Sequence, residues 1–236
     1  MDLNRLQQYL HALVESLEND DKVLLNGRLE GLISVFPFNE YEYILMFLLN
    51  RGTIQFEAYD TLRREYVLSN RYLGLFELSP RVFGEIWGHQ HLMDLDQRLK
   101  KPSKGIDPAY GGQYDLQLGD IRVEAKACRA INTKKRGGLV SKALRYDSQE
   151  PFWMNFQQLK VGVCDVFVFI GVWVDRIVYW VLSDSEIKSN KYLSHQHRGG
   201  IEYQIGITRA NIADFKGYEV AAGDLADVVI QKAAQC

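Results

Sequence analysis

The stretch QYDLQLGDIRVEAKACRA (113–130) decides the fold. Residues 121–127 set Ile121, Val123, Ala125 and Ala127 against Arg122, Glu124 and Lys126, the period-2 alternation of a half-buried strand. Successive side chains point to opposite faces, so Glu124 and Lys126 share one face, roughly 6–7 Å apart along the strand. Tyr114 to Leu118 is a second alternating run, and Gly119-Asp120 between the two is a hairpin-turn dipeptide. One β-hairpin thus gathers Asp115, Glu124 and Lys126. Two carboxylates with an ammonium beside them make a site for a hard cation.

The residues that follow are basic. Between 126 and 145 lie Lys126, Arg129, Lys134, Lys135, Arg136, Lys142 and Arg145, with no acid among them. The net charge of −2 hides this asymmetry. Residues 1–60 hold four basic and ten acidic side chains, which leaves 24 basic and 20 acidic for the rest. A positive segment running out of a carboxylate hairpin is where a polyanion is expected to lie. The acidity of 1–60 points away from phosphate contact there.

Upstream, the first hundred residues read as mainly helical. NRLQQYLHALVESLE (4–18) places Leu6, Leu10, Leu13, Val14 and Leu17 at helical spacing, with Asn4 as N-cap. EYEYILMFLLN (40–50) is apolar almost all round and reads as a buried helix, and 54–68 as a third. Ser79-Pro80 would open a fourth helix, PRVFGEIWGHQHLMDLDQRL. Downstream, GIDPAYGG (105–112) is a loop and FWMNFQQLK (152–160) is expected to be a helix. CDVFVFIGVWV (164–174) reads as a buried strand whose hairpin partner is RIVYWVLS (176–183), the two joined at Asp175. Strand, strand, helix, strand, strand gives an α/β fold with a mixed β-sheet. No repeat or proline-rich linker divides the chain, so 1–236 is expected to be a single domain. Its first part (1–100) is mainly helical and its second (101–236) the α/β core.

The composition, 47% hydrophobic and 25% charged, is that of an ordinary globular protein. MDLNRLQQYL does not have the pattern of a signal peptide. The most apolar run, VFVFIGVWV (166–174), is far shorter than the roughly 20 residues of a membrane span. Cys128, Cys164 and Cys236 are scattered and form no C-x-x-C, which fits a reducing, cytoplasmic setting better than a disulfide framework or a cysteine zinc site. There is no G-x-x-x-x-G-K-[ST] loop for ATP-driven chemistry.

Cleaving a phosphodiester needs a nucleophilic water, charge stabilisation at phosphorus and help for the leaving oxygen. Asp115 and Glu124 have the chemistry to hold Mg²⁺, and Lys126 that to orient or activate the attacking water. The pattern D-x8-E-A-K on a hairpin, followed by a basic loop, resembles the PD-(D/E)XK nuclease superfamily, to which most type II restriction endonucleases belong. The resemblance covers roughly residues 85–185, and Tyr114 stands where the superfamily pattern has its proline. It implies a restriction-endonuclease-like mixed β-sheet flanked by helices, with Asp115 and Glu124 as Mg²⁺ ligands and Lys126 as the catalytic lysine. It further implies a homodimer that cuts double-stranded DNA in the cytoplasm of a prokaryote. A cognate DNA methyltransferase would accompany it in the same system without being a physical partner. A structure-directed repair or junction nuclease of the same fold stays open, as does a non-catalytic nucleic-acid-binding protein.

Other residues are candidates for supporting roles. Glu85 lies on the helix upstream, where such nucleases often carry an additional acid, or is a solvated glutamate. Arg129, Lys134, Lys135 and Arg136 are candidates for DNA contact, as are Gln157 and Gln158. SHQHRGG (194–200) offers Gln196, His197 and Arg198, and Gln and Arg pair bidentately with adenine and guanine edges. Asp107, followed by Pro108, ranks below Asp115 because it sits in a glycine-rich loop off the hairpin. The pairs His89/His91 and His195/His197 raise a rival transition-metal site. On a helix, however, residues i and i+2 do not face each other.

Overall fold

The structure, a computed structural model, describes residues 3–30, 39–195 and 202–234, which fall into two units, Met1–Glu77 and Leu78–Cys236. The first unit is helical: α1 (Leu3–Glu15), α2 (Asn19–Glu30), α3 (Asn39–Asn50) and α4 (Phe56–Ser69), then a 3₁₀ turn, Leu73–Phe76. Helix α1 begins at Leu3, so Asn4 lies inside its first turn and is not the N-cap. Helix α2 has no apolar stripe for the sequence to show. Its Val23, Leu24 and Leu25 are consecutive and point different ways, and only Leu25 is buried. Asp20 and Asp21 in its first turn favour the positive end of the helix dipole. Helix α3 is less buried than its composition suggests: Leu45 and Leu48 are covered while Met46 is exposed. Glu42 of α3 is held by the Tyr59 hydroxyl and by Arg63 Nε (2.9 Å), both of α4.

In the second unit the helix expected after Ser79 does start there, the Ser79 carbonyl accepting from Phe83 N–H at 2.9 Å. It is a π-helix over Val82–Gly88 that runs into α5 (His89–Leu95). The helix stops short of the expected 99. Asp96 takes an extended backbone and its carboxylate accepts from Arg98 N–H (2.8 Å) and Arg98 Nε (3.0 Å), a local turn that competes with helix. Leu99 then enters β1 (Leu99–Lys100), followed by β2 (Leu116–Leu118) and β3 (Ile121–Arg129). Strands β2 and β3 form the antiparallel hairpin with Leu118 opposite Ile121, and Gly119 supplies the positive φ (59°) of its turn. The chain continues through α6 (Leu139–Lys142), β4 (Trp153–Leu159), β5 (Val166–Val172), β6 (Ile177–Ser183) and α7 (Asp184–Lys188). It closes with β7 (Leu193–His195), β8 (Tyr203–Thr208), β9 (Glu219–Val220) and α8 (Leu225–Ala233).

Six strands form one mixed sheet in the order β1-β2-β3-β5-β6-β9, parallel at β3–β5 and antiparallel elsewhere. Strand β5 is buried along its whole length, and β6 returns from it as its hairpin partner, as its apolar run requires. Strand β3 departs from the half-buried expectation, because Val123, Glu124 and Ala125 are all covered.

Within residues 152–160, where the sequence suggested a helix, Trp153–Leu159 form a strand. Phe152, Met154 and Phe156 alternate inward. A bulge at Gln157-Gln158, with Gln158 at φ 58°, then brings Leu159 back to the same side. Apolar residues two, two and three apart mix both periods, and the last step imitates a helix. Strand β4 joins a second, three-stranded antiparallel sheet, β4-β8-β7. Its inner residues Met154, Phe156, Ile205 and Ile207 belong to the core shared with Phe167, Phe169 and Trp180. Phe156 stacks on Phe169 at 4.4 Å between ring centroids. The π-helix packs on β3, and α8 on β5 and β6.

Candidate active site

The hairpin delivers its three residues to one place. Asp115 sits just before β2, its N–H donating to Val123 O at 3.1 Å. Its Oδ2 accepts from Ala125 N–H (3.1 Å) and from Lys126 Nζ (3.2 Å). That seats the carboxylate on the backbone of β3 between Glu124 and Lys126. Lys126 Nζ also lies 2.7 Å from Glu124 Oε1, so a single ammonium spans both carboxylates. Glu124 is wholly buried, and the Lys126 ammonium is the charge that faces its Oε1 among the described residues.

Three residues from other segments complete the site, and sequence reading gave none of them this role. Lys160, just past β4, brings Nζ to 3.7 Å from Glu124 Oε2 and donates to Gly112 O at 3.2 Å. The Cys164 thiol donates to Glu124 Oε2 at 3.4 Å. His89, the first residue of α5, places Nε2 3.8 Å from Asp115 Oδ2. Once β4 is a strand rather than a helix, Lys160 falls next to β3. That was the missing signal.

Burial sets the charge states. It pushes the Glu124 carboxyl above its ordinary value, as does Asp115, while Lys126 opposes them. For Lys126 burial alone would lower the ammonium, but Asp115 and Glu124 together outweigh it and hold it above normal. Burial lowers His89 against the pull of Asp115, which favours the neutral imidazole near neutral pH. Burial and Glu124 push the Cys164 thiol up, so it stays protonated as a donor.

Other candidates have other partners. Glu85 pairs with Arg81 (3.0 Å) on the exposed side of its helix. Asp107 accepts from the buried Tyr114 hydroxyl (2.9 Å) and from Ala109 N–H (2.9 Å), a structural role. Arg129 is half-buried, donates to Leu78 O (2.9 Å) and lies 4.2 Å over the Phe83 ring. Lys134, Lys135 and Arg136 are exposed. Gln157 and Gln158 form the bulge of β4, also exposed, and not a helix face. Gln196, His197 and Arg198 lie outside the described residues. His89 and His91 diverge, His91 Nε2 meeting the Tyr179 hydroxyl at 2.7 Å. Among the described residues no three His, Cys, Asp or Glu side chains form a metal cluster.

Comparison with protein-family models, with curated proteins and with solved structures finds no match. The chemistry therefore has to come from the site itself. Two adjacent carboxylates have the chemistry of a hard divalent cation's ligands, which typically number one or two carboxylates with water and substrate oxygens in the remaining positions.

Proposed function

We propose that this chain is a Mg²⁺-dependent endonuclease acting on double-stranded DNA, of the type II restriction kind and working as a homodimer. What carries the reading is the one ammonium, Lys126, that lies 2.7 Å from the buried Glu124 and 3.2 Å from Asp115 on a single hairpin. The resemblance of D-x8-E-A-K to the PD-(D/E)XK pattern supports the same conclusion. So does the acid-free basic segment 126–145 that follows.

Asp115 and Glu124 would hold the metal, which when bound supplies charge stabilisation to the phosphoryl oxygens and acidifies a water. The chain's residues do the rest. Asp115 is fixed by Ala125 N–H, so its carboxylate keeps its place as charge changes nearby. Lys126, whose ammonium Asp115 and Glu124 hold above its ordinary value, is placed as a donor. It orients the attacking water and offsets the negative charge that grows as the water oxygen bonds to phosphorus and the P–O ester bond breaks. Lys160 and Cys164 hold Glu124 Oε2, while Oε1 faces the Lys126 ammonium.

Incubation with supercoiled plasmid tests the reading. Nicked and linear DNA should appear with Mg²⁺ and vanish with EDTA. Cleavage that is indifferent to EDTA would remove the metal from the mechanism. Discrete fragments from a DNA of known sequence mark a restriction enzyme, and a smear marks a repair-type nuclease. Glu85→Ala should leave the rate unchanged, because its carboxylate is engaged with Arg81 at the surface. A large loss would mean that Glu85 reaches the site.

A further inference from the structure

The outer face of the second sheet has a composition that its inner face does not explain. Along β8, Ile205 and Ile207 turn inward while Gln204, Gly206 and Thr208 turn outward. Along β4, Met154 and Phe156 turn inward while Trp153 and Asn155 turn outward. Trp153 is 54% exposed, a large aromatic on a face otherwise polar. Its indole lies across β8 at Gly206, where an added Cβ would come within 2.7 Å of Trp153 Nε1. Beside it Asn155 Nδ2 donates to Gln204 Oε1 at 3.1 Å, which leaves one carboxamide with a donor hydrogen and an acceptor oxygen and the other with its amide group. Ser194 of β7 lies opposite Gln204 in register. The face presents two side-by-side carboxamides and an aromatic plane.

Basic residues border this face at one end and the active site at the other. Asn132 forms a β-bridge with Phe152, and Thr133 N–H donates to Pro151 O at 3.1 Å. The exposed Lys134, Lys135 and Arg136 therefore follow directly on a segment bridged to Phe152, the residue before Trp153. The acid at Glu150 is held by Asn132 Nδ2 at 3.2 Å. At the far end of β4 stands Lys160, against Glu124. From Asn155 to Lys160 the strand spans roughly 15 Å, the rise of about four to five base pairs of duplex.

Resting on the nuclease reading, we propose that the outer face of the β4-β8-β7 sheet reads base edges of duplex DNA. Asn155 and Gln204 are the hydrogen-bonding pair, Trp153 is the apolar contact, and Lys134, Lys135 and Arg136 grip the flanking phosphates. Asn and Gln pair bidentately with adenine, and a β-ribbon fits the major groove. Phosphate contacts supply position and affinity, whereas base contacts supply sequence. One strand then ties the reading face to the cleavage centre at a fixed distance.

Acrylamide quenching of the full chain in EDTA tests the assignment. Trp173 and Trp180 are fully buried and Trp87 is half-buried, so Trp153→Phe, which keeps the emission of all three, gives the reference trace. Plasmid DNA should shield the quenchable emission of the wild type but not that of Trp153→Phe. Asn155→Ala and Gln204→Ala should each weaken binding of a duplex that the wild type cuts by roughly 10- to 100-fold and leave binding of unrelated duplex unchanged. Three results would overturn the proposal. The first is DNA binding with Trp153 still quenchable and both alanine variants unaffected. The second is shielding of Trp153 by heparin as complete as that by DNA, which would show charge alone. The third is shielding that rises with protein concentration without DNA, which would mark a contact between copies of the chain. If Mg²⁺-dependent cleavage persists in those cases, the nuclease reading stands without this face. Shielding and sequence preference without any cleavage would keep the face and remove the nuclease.

Discussion

Lys126→Ala is expected to slow DNA cleavage by on the order of 10²–10⁴-fold while binding of DNA changes little. Among the described residues Lys126 is the one group within ion-pair distance of both Asp115 and Glu124, so its removal takes away the donor that the proposed reaction needs at phosphorus and a countercharge shared by buried Glu124 and half-buried Asp115. Lys126→Arg should not restore the rate, because a planar guanidinium cannot reproduce a compact ammonium between two carboxylates. Single-turnover cleavage, set against anisotropy of a labelled duplex in EDTA, separates chemistry from binding. A loss smaller than about tenfold would remove Lys126 from the chemistry.

The same substitution has a pH signature. Glu124 is already raised by burial, with Lys126 opposing, and loss of Lys126 raises it further. An acid whose pKa is higher folded than unfolded binds protons more tightly in the folded state. Its stabilising share is present at low pH and is lost as pH rises through the raised value. Lys126→Ala should therefore fall below the wild type in melting temperature by more at about pH 8 than at about pH 5, measured in EDTA. A deficit equal at both pH values would mean that the lysine acts only by packing.

How far the site could be read from the sequence follows from how local it is. Asp115, Glu124 and Lys126 lie within twelve consecutive residues, and strand alternation with a two-residue turn is enough to bring them together. The buried strands β5 and β6 were equally legible, because unbroken apolar runs separated by Asp175-Arg176 have few other readings. Lys160, Cys164 and His89 reach the hairpin only through tertiary packing. Lys160 was further hidden by the Gln157-Gln158 bulge, which disguised β4 as a helix. Helix α2 escaped for the opposite reason, since it buries one leucine and shows no stripe. The outer face of the second sheet could not be read at all until β4 and β8 were known to be neighbours. Asn155 and Gln204 are far apart in the chain and adjacent in space.

Gly171→Ala is expected to cost about 3 kcal/mol or more in the second unit, at the upper end of the usual penalty for overfilling a core. That corresponds to a fall of about 6–12 °C in melting temperature. A Cβ at Gly171 would stand 2.6 Å and 2.7 Å from Trp180 Cζ3 and Cη2 and 3.0 Å from Trp173 Cζ3. Neither indole has room to yield. Both are fully buried, and Phe156 packs edge-on against Trp180 while Phe152 and Tyr146 pack edge-on against Trp173. The alternative is for β5 to move, and β5 is paired along its length with β3, Gly171 lying opposite Cys128. Relief would thus be taken from the ladder that carries Glu124 and Lys126. Trp180→Phe removes the ring atoms that would meet the new methyl, at the cost of a cavity of its own. The double variant Gly171→Ala/Trp180→Phe should therefore be more stable than the sum of the two single losses predicts, by roughly 1 kcal/mol or more. Strict additivity in thermal melts would show that the glycine is needed for the backbone of β5 rather than for the space its two tryptophans occupy.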